Sequence, residues 1–230
     1  MSRSTYVADL RVAERHLARV DPLMRRLVRR HGPCGLAPDW RRSPYEALVR
    51  AVVYQQLNGV AAGRILERFV GSFADADFPG PPAVLAACDD TLRAAGLSRQ
   101  KVAAIRDIAV HAAAGMVPLR RGALVRSTDE AIIERLTRVR GVGRWTVEML
   151  LIFTLGRLDV LPADDYGVRK GFSRASGGDS LVAPKDLKEI GTAWAPWRSV
   201  AAWYCWRAAE AGGCREINPD GIWCRERDSN

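Results

Sequence analysis

The chain has 230 residues, 48% of them apolar and 27% charged, so one domain or two small ones can bury a sizeable core. Lys and Arg (35) outnumber Asp and Glu (26), a net charge of +9 that favours polyanionic partners. Every apolar run is broken by Arg, Gln, Glu or Asp short of the ~20 residues a membrane span requires. The opening Met1-Ser2-Arg3-Ser4-Thr5 lacks the apolar core of a signal peptide, so the expected location is cytoplasmic. Five cysteines, Cys34, Cys88, Cys205, Cys214 and Cys224, are an odd count without a close pair and suggest neither a disulfide framework nor a zinc site.

In chain order, the first clear helix start is Ser43-Pro44-Tyr45-Glu46, a capping box with proline at the first helical position. Ala47, Leu48, Ala51 and Val52 follow at helical spacing. Pro79-Gly80-Pro81-Pro82 reads as a turn. Ser98 can cap a helix through Lys101, Ile105, Ile108 and Ala109. Ser127-Thr128-Asp129-Glu130 is a second capping box, ahead of Ile132, Ile133, Leu136 and Val139. Gly177-Gly178 marks another turn, Pro184 opens a short helix, and Pro196 opens one running to Ala211. Strand-like alternation is scarce, and the expected fold is all-α.

Between two of these helices lies Arg140-Gly141-Val142-Gly143-Arg144-Trp145-Thr146, followed by an apolar helix and then Leu161-Pro162-Ala163-Asp164-Asp165-Tyr166. Gly141 and Gly143 allow left-handed backbone angles and close approach of a ligand. The amides opening the following helix point outward with the positive end of its dipole. Helix, two-glycine turn and helix together form a phosphate-binding device.

A helix-hairpin-helix followed by a Gly/Pro loop and an aspartate resembles the helix-hairpin-helix superfamily of DNA glycosylases. The Arg-Trp-Thr and Pro-Ala-Asp-Asp-Tyr wording is similar to its 3-methyladenine DNA glycosylase II branch. Val52-Val53-Tyr54-Gln55-Gln56-Leu57-Asn58-Gly59-Val60-Ala61-Ala62 resembles the DNA-inserting turn of that branch, and the stretch from Trp194 to Arg207 resembles its closing helix. The resemblance implies a single glycosylase domain over residues 1–230, made of two helical lobes with a cleft between them. The middle lobe is expected at roughly 60–165 and the other at roughly 1–59 plus 166–230. The N-terminal β domain of larger members is not expected, because only about forty residues precede Ser43.

The resemblance also assigns roles. Asp165 matches the catalytic carboxylate, with Asp164 its rival, left to bond backbone or cap the helix near Tyr166. Loss of a base leaves positive charge on the sugar, which a nearby carboxylate stabilises. Trp145 stands where members with lyase activity carry lysine, and an indole cannot form a Schiff base. A monofunctional hydrolase results, with water as nucleophile. Trp145, Tyr166 and Trp206 match the base pocket, whose aromatic faces attract an alkylated, cationic purine. Gln56, then Leu57 and Asn58, are candidates to fill the space left by the flipped nucleotide. Phosphate contacts are expected from Gly141, Gly143 and Arg144, with charge from Lys101 or Lys170.

No cofactor is required by this reading. The carbonyls of Thr137, Val139 and Val142 match those that hold Na⁺ or K⁺ in the superfamily. An iron–sulfur cluster is not expected, since Cys205, Cys214 and Cys224 are too few and too widely spaced. His16, His31 and His111 show no metal-ligand spacing and no relation to the site. The implied partner is double-stranded DNA carrying alkylated bases such as 3-methyladenine, met by a monomer, nucleoid-associated in a bacterium. The alternatives are a non-catalytic helix-hairpin-helix DNA-binding protein and a monofunctional glycosylase for other damaged bases. The tail from Gly212 to Asn230 departs from the branch pattern and is expected to pack near Trp206.

Overall fold

The computed structural model describes residues 3–73, 77–178 and 180–210. Its helices are α1 (Arg3–Val20), α2 (Pro22–His31), α3 (Pro44–Tyr54), α4 (Gly59–Gly71), α5 (Pro81–Ala86), α6 (Asp89–Ala94) and α7 (Arg99–Ala113), then α8 (Asp129–Leu136), α9 (Arg144–Leu150), α10 (Tyr166–Ser176), α11 (Pro184–Ile190) and α12 (Arg198–Glu210). No strand occurs among the described residues, and no helix there is long and apolar enough to cross a membrane. Cys214, Cys224 and the tail from Gly212 lie outside the described residues.

Local chemistry accounts for the helix starts. Ser43 Oγ accepts the Glu46 N–H at 3.1 Å and Ser98 Oγ the Lys101 N–H at 3.3 Å, each satisfying an orphan donor. At α8 the cap is Thr128, whose Oγ1 accepts the Ala131 N–H, one residue later than the box led by Ser127. The Pro79–Pro82 cluster is not only a turn: Pro81 starts α5, because proline tolerates the first helical position, where its missing N–H is not needed. Pro196 precedes rather than opens α12, which begins at Arg198.

The chain divides into two compact units, residues 39–155 and residues 1–38 with 156–210. The boundaries differ from the expected 59/60 and 165/166. In the middle unit, α3 buries Leu48, Val49, Val52 and Val53 and packs on α7 and α9, so it belongs there. The Asp39 N–H donates to the Phe153 carbonyl at 2.8 Å, joining the two ends of that unit. In the other unit the 156–165 loop is bound to α12. Arg198 forks onto Asp159 at 2.7 and 2.9 Å, and Ser199 Oγ accepts the Val160 N–H at 2.9 Å.

The second unit is built around α10 against α12. A Cβ on Gly171 would stand 1.7 Å from the Cys205 carbonyl oxygen, so only glycine permits the two backbones to lie this close. Trp194, fully buried, donates its indole N–H to Asp21 Oδ2 at 2.8 Å, and the Tyr204 hydroxyl donates to the Gly32 carbonyl at 2.9 Å. The first bond ties the start of α2 to Trp194, and the second ties the chain after α2 to α12, on which α2 packs.

Candidate active site

Asp165 is the N-cap of α10. Its Oδ1 accepts the Val168 N–H at 2.8 Å and the Trp206 indole N–H at 2.9 Å. The residue is 5% exposed, a setting in which electrostatic interactions of the carboxylate are weakly screened. The same burial pushes up the neighbouring Cys205 thiol, to which Asp165 adds its own charge.

Asp164, its neighbour, is exposed, with one oxygen 3.7 Å from Lys188 Nζ. The expected roles of the pair are therefore redistributed. The cap falls to Asp165 itself, because the turn closed by the Asp165 N–H and the Pro162 carbonyl, 3.0 Å, places the second aspartate next to the first α10 amides. Asp164 is left at the surface.

Trp206 departs from the base-pocket expectation. Its ring has no exposed surface with which to stack on a base, and its N–H is committed to Asp165. It is a second ligand of the carboxylate. Sequence spacing offers no sign of this bond, which spans 41 residues. Tyr166 is 62% exposed, with Lys170 Nζ 5.7 Å from its ring centroid. Lys170 thus sits by an aromatic face.

The hairpin lies in the middle unit. The Val142 N–H donates to the Val139 carbonyl at 3.1 Å, and Gly141 has φ +78°. A Cβ on Gly141 would also meet Ala104 Cβ at 2.9 Å, so this glycine is required twice over. Gly143 is different: its φ of −91° is ordinary extended backbone at the α9 N-cap, and its missing Cβ would point into open space. Space for a ligand, rather than backbone angle, is what this glycine supplies. Thr137 ends α8, so Thr137, Val139 and Val142 fall in the turn that the resemblance marks for a cation. Trp145, in the first turn of α9, is partly buried.

Arg144 does not offer its charge freely. Its guanidinium bonds Glu130 through both terminal nitrogens at 2.9 Å, and Nε donates to buried Glu148 at 3.1 Å. Those partners push the guanidinium pKa up, while the Arg144 hydrogen bond holds Glu130 below the usual carboxylate range. The side chain expected to contact phosphate is engaged here by two carboxylates. Glu148 at i+4 was legible as a helix pair; Glu130, across the hairpin, was not. A further support comes from Asp107, whose Oδ2 accepts the Arg140 N–H at 2.7 Å while lying 3.4 Å from His111 Nδ1. His111 is thus linked to the hairpin only through Asp107.

The turn after α3 places its three wedge candidates differently. Gln56 is exposed with φ +59°. Leu57 is partly buried, its N–H reaching the Tyr54 carbonyl at 3.3 Å, and Asn58 caps α4 through the Ala61 N–H at 2.8 Å. Gln56 thus has the side chain least engaged by the fold. Beside it opens a polar cavity of about 260 Å³ lined by Gln55, Gln56, Gln100, Lys101, Arg140 and Gly141 among others. Lys101, expected to add charge for phosphate, donates to the Val53 carbonyl at 2.6 Å.

A family model described as HhH-GPD superfamily base excision DNA repair protein matches residues 49–196. The chain is 37% identical over 207 residues to DNA-3-methyladenine glycosylase 1 of Schizosaccharomyces pombe, covering 89% of this chain and 90% of the relative. It is 34% identical over 201 residues to the alkylbase DNA glycosidase-like protein mag2 of the same organism, covering 87% and 94%. Among solved structures, S. pombe 3-methyladenine DNA glycosylase Mag1 in complex with abasic DNA aligns with a TM-score of 0.76 at 37% identity, over 85% of this chain and 95% of that one.

Proposed function

Because the chain belongs to the HhH-GPD superfamily of base excision DNA repair proteins, we propose that it is a monofunctional DNA glycosylase that flips alkylated purines such as 3-methyladenine out of duplex DNA and hydrolyses their N-glycosidic bond. The names of relatives similar over most of the chain support the substrate class. The observation that carries the reading is Asp165: a buried carboxylate with one oxygen fixed by two N–H donors.

As the glycosidic bond stretches, positive charge develops on the deoxyribose, and the fixed carboxylate stabilises it without having to reorganise. The carboxylate also orients the attacking water or takes its proton. Trp145 has no amine with which to form a Schiff base, so an intact abasic site is the product. An alkylated purine is cationic, which weakens its bond to the sugar and draws it to aromatic faces by ~0.5 to 2 kcal/mol per contact. Trp145 and Tyr166 supply those faces.

The amides from Gly141 to Trp145 hold a DNA phosphate, with open space at Gly143 admitting it to the backbone. Gln56 fills the gap left by the flipped base. The carbonyls of Thr137, Val139 and Val142 would hold a monovalent cation. Val139's oxygen already takes one N–H but keeps a second lone pair, and an all-oxygen donor set suits a hard ion. Such an ion would stiffen the hairpin, and no chemical step depends on it.

The test is release of free base from methylated duplex DNA by wild type, Asp165→Asn and Asp164→Asn, with DNA binding measured in parallel. Release lost in Asp165→Asn, retained in Asp164→Asn, with binding intact in both, is the expected result. A wild type that binds DNA and releases nothing overturns it.

A further inference from the structure

The end of α3 is gripped from two sides by side chains that the reaction above does not use. Gln56, in the turn that follows, is the one non-glycine residue with positive φ among the described residues, a conformation that costs an L-residue roughly 1–2 kcal/mol. Strain of this kind persists only where the surroundings impose it. Here the surroundings are specific. The Gln55 side-chain amide donates to the Gly141 carbonyl at 2.9 Å, and Lys101 Nζ donates to the Val53 carbonyl at 2.6 Å. One bond fixes the residue just before Gln56 to the hairpin; the other fixes the last turn of α3 to the start of α7.

Both anchors are themselves rigid. Gly141 sits against Ala104 of α7 with no room for a Cβ, and the next N–H back along the hairpin, that of Arg140, is held by Asp107. Lys101 is partly buried, and that burial lowers its pKa, so its ammonium stands where solvation alone would not have put it. Hairpin, α3 end and α7 start therefore form one bonded frame, with Gln56 at its edge.

We propose that Gln55 and Lys101 are positioning residues that clamp the 55–58 turn to the hairpin, so that Gln56 is preset for insertion before DNA arrives. The proposal rests on the glycosylase reading. A preset wedge avoids ordering four residues during flipping, each worth roughly 1–2 kcal/mol of backbone entropy. The clamp matters most when the target base is well paired, because there the wedge must pay for unpairing.

The experiment uses Gln55→Leu and Lys101→Met in the full chain, with two readouts. The first is hydrogen exchange of the Gln56 to Asn58 amides without DNA, expected to quicken about fivefold, on the order of one net hydrogen bond. The second is single-turnover release from a duplex with one 7-methylguanine, facing either cytosine or an abasic-site analogue. Release is expected to fall about tenfold opposite cytosine and to return to within about twofold of wild type opposite the abasic analogue. Unchanged exchange overturns the clamp, as does an equal loss on both duplexes, which marks a general structural defect. If wild type releases base neither from these duplexes nor from methylated duplex DNA, the glycosylase reading fails and the clamp's role in insertion falls with it. An active wild type with equally impaired variants is a distinguishable result that removes the clamp alone.

Discussion

At the scale of single residues, the partner of Asp165 governs what its carboxylate can do. A hydrogen bond to a charged group contributes about 1.5–3 kcal/mol, and the Trp206 indole delivers one at 2.9 Å from a site with no exposed surface. Trp206→Phe keeps most of the ring and deletes the donor. Single-turnover base release should drop by about 10- to 100-fold in that variant, with DNA affinity within about twofold. If affinity for alkylated DNA collapses and the rate at saturation holds, the indole is a base-binding surface after all. The residue pair Asp164–Asp165 shows how little a dipeptide reveals. Both are good capping residues, and only the turn closed at Pro162 decides which one is buried.

At the scale of elements, the hairpin joins two short helices whose ends are cross-braced by charge. Arg144 on α9 spans to Glu130 at the start of α8 and to Glu148 one turn along. The exposed Arg144–Glu130 pair contributes modestly, about 0.2–1 kcal/mol, but with buried Glu148 it occupies the guanidinium. Arg144→Gln should lower stability by about 1 kcal/mol and leave the slope of log affinity against log salt unchanged, measured by titrating DNA at several salt concentrations. A slope reduced by about one would show that Arg144 neutralises a phosphate. The hairpin amides, in contrast, need no side-chain charge. The element boundaries were legible where caps and prolines speak locally, as at Ser43, Ser98 and Pro184. They were missed where a neighbour decides: the Thr128 cap displaced the expected box by one residue, and α5 arose from prolines read as a turn.

At the scale of the whole chain, the all-helical class and the order of motifs were visible in the sequence. Helix caps, the two-glycine hairpin and the aspartate pair are all local patterns. The division into units was not, because it depends on which helix α3 packs against and on the Asp159–Arg198 pair, 39 residues apart. The same holds for Trp206 and Gln55, whose partners lie 41 and 86 residues away.

Burial also sets a stability limit for the unit containing α1, α2 and α10–α12. Desolvation pushes the Cys34 thiol from 9.0 up to about 12. The folded state keeps that proton where the unfolded chain has lost it. Cys34 therefore contributes fully below pH ~9, and its contribution falls as pH rises from about 9 towards 12. Urea midpoints taken from pH 8 to 10.5 should decline, and Cys34→Ala should decline less steeply. Parallel slopes in the two proteins would remove Cys34 as a source.

Catalytic groups are often held against the grain of the fold, so that disabling them yields a sturdier protein. The carboxylate here works the other way, since the atom that caps α10 belongs to the residue that would meet the sugar. Truncating Asp165 to Ala would remove an N-cap, typically ~1 kcal/mol, and leave the buried Trp206 N–H without its acceptor. Asn or Ser at position 165 could keep the cap while losing the carboxylate, so folding penalises only those exchanges that remove the acceptor oxygen from the start of α10.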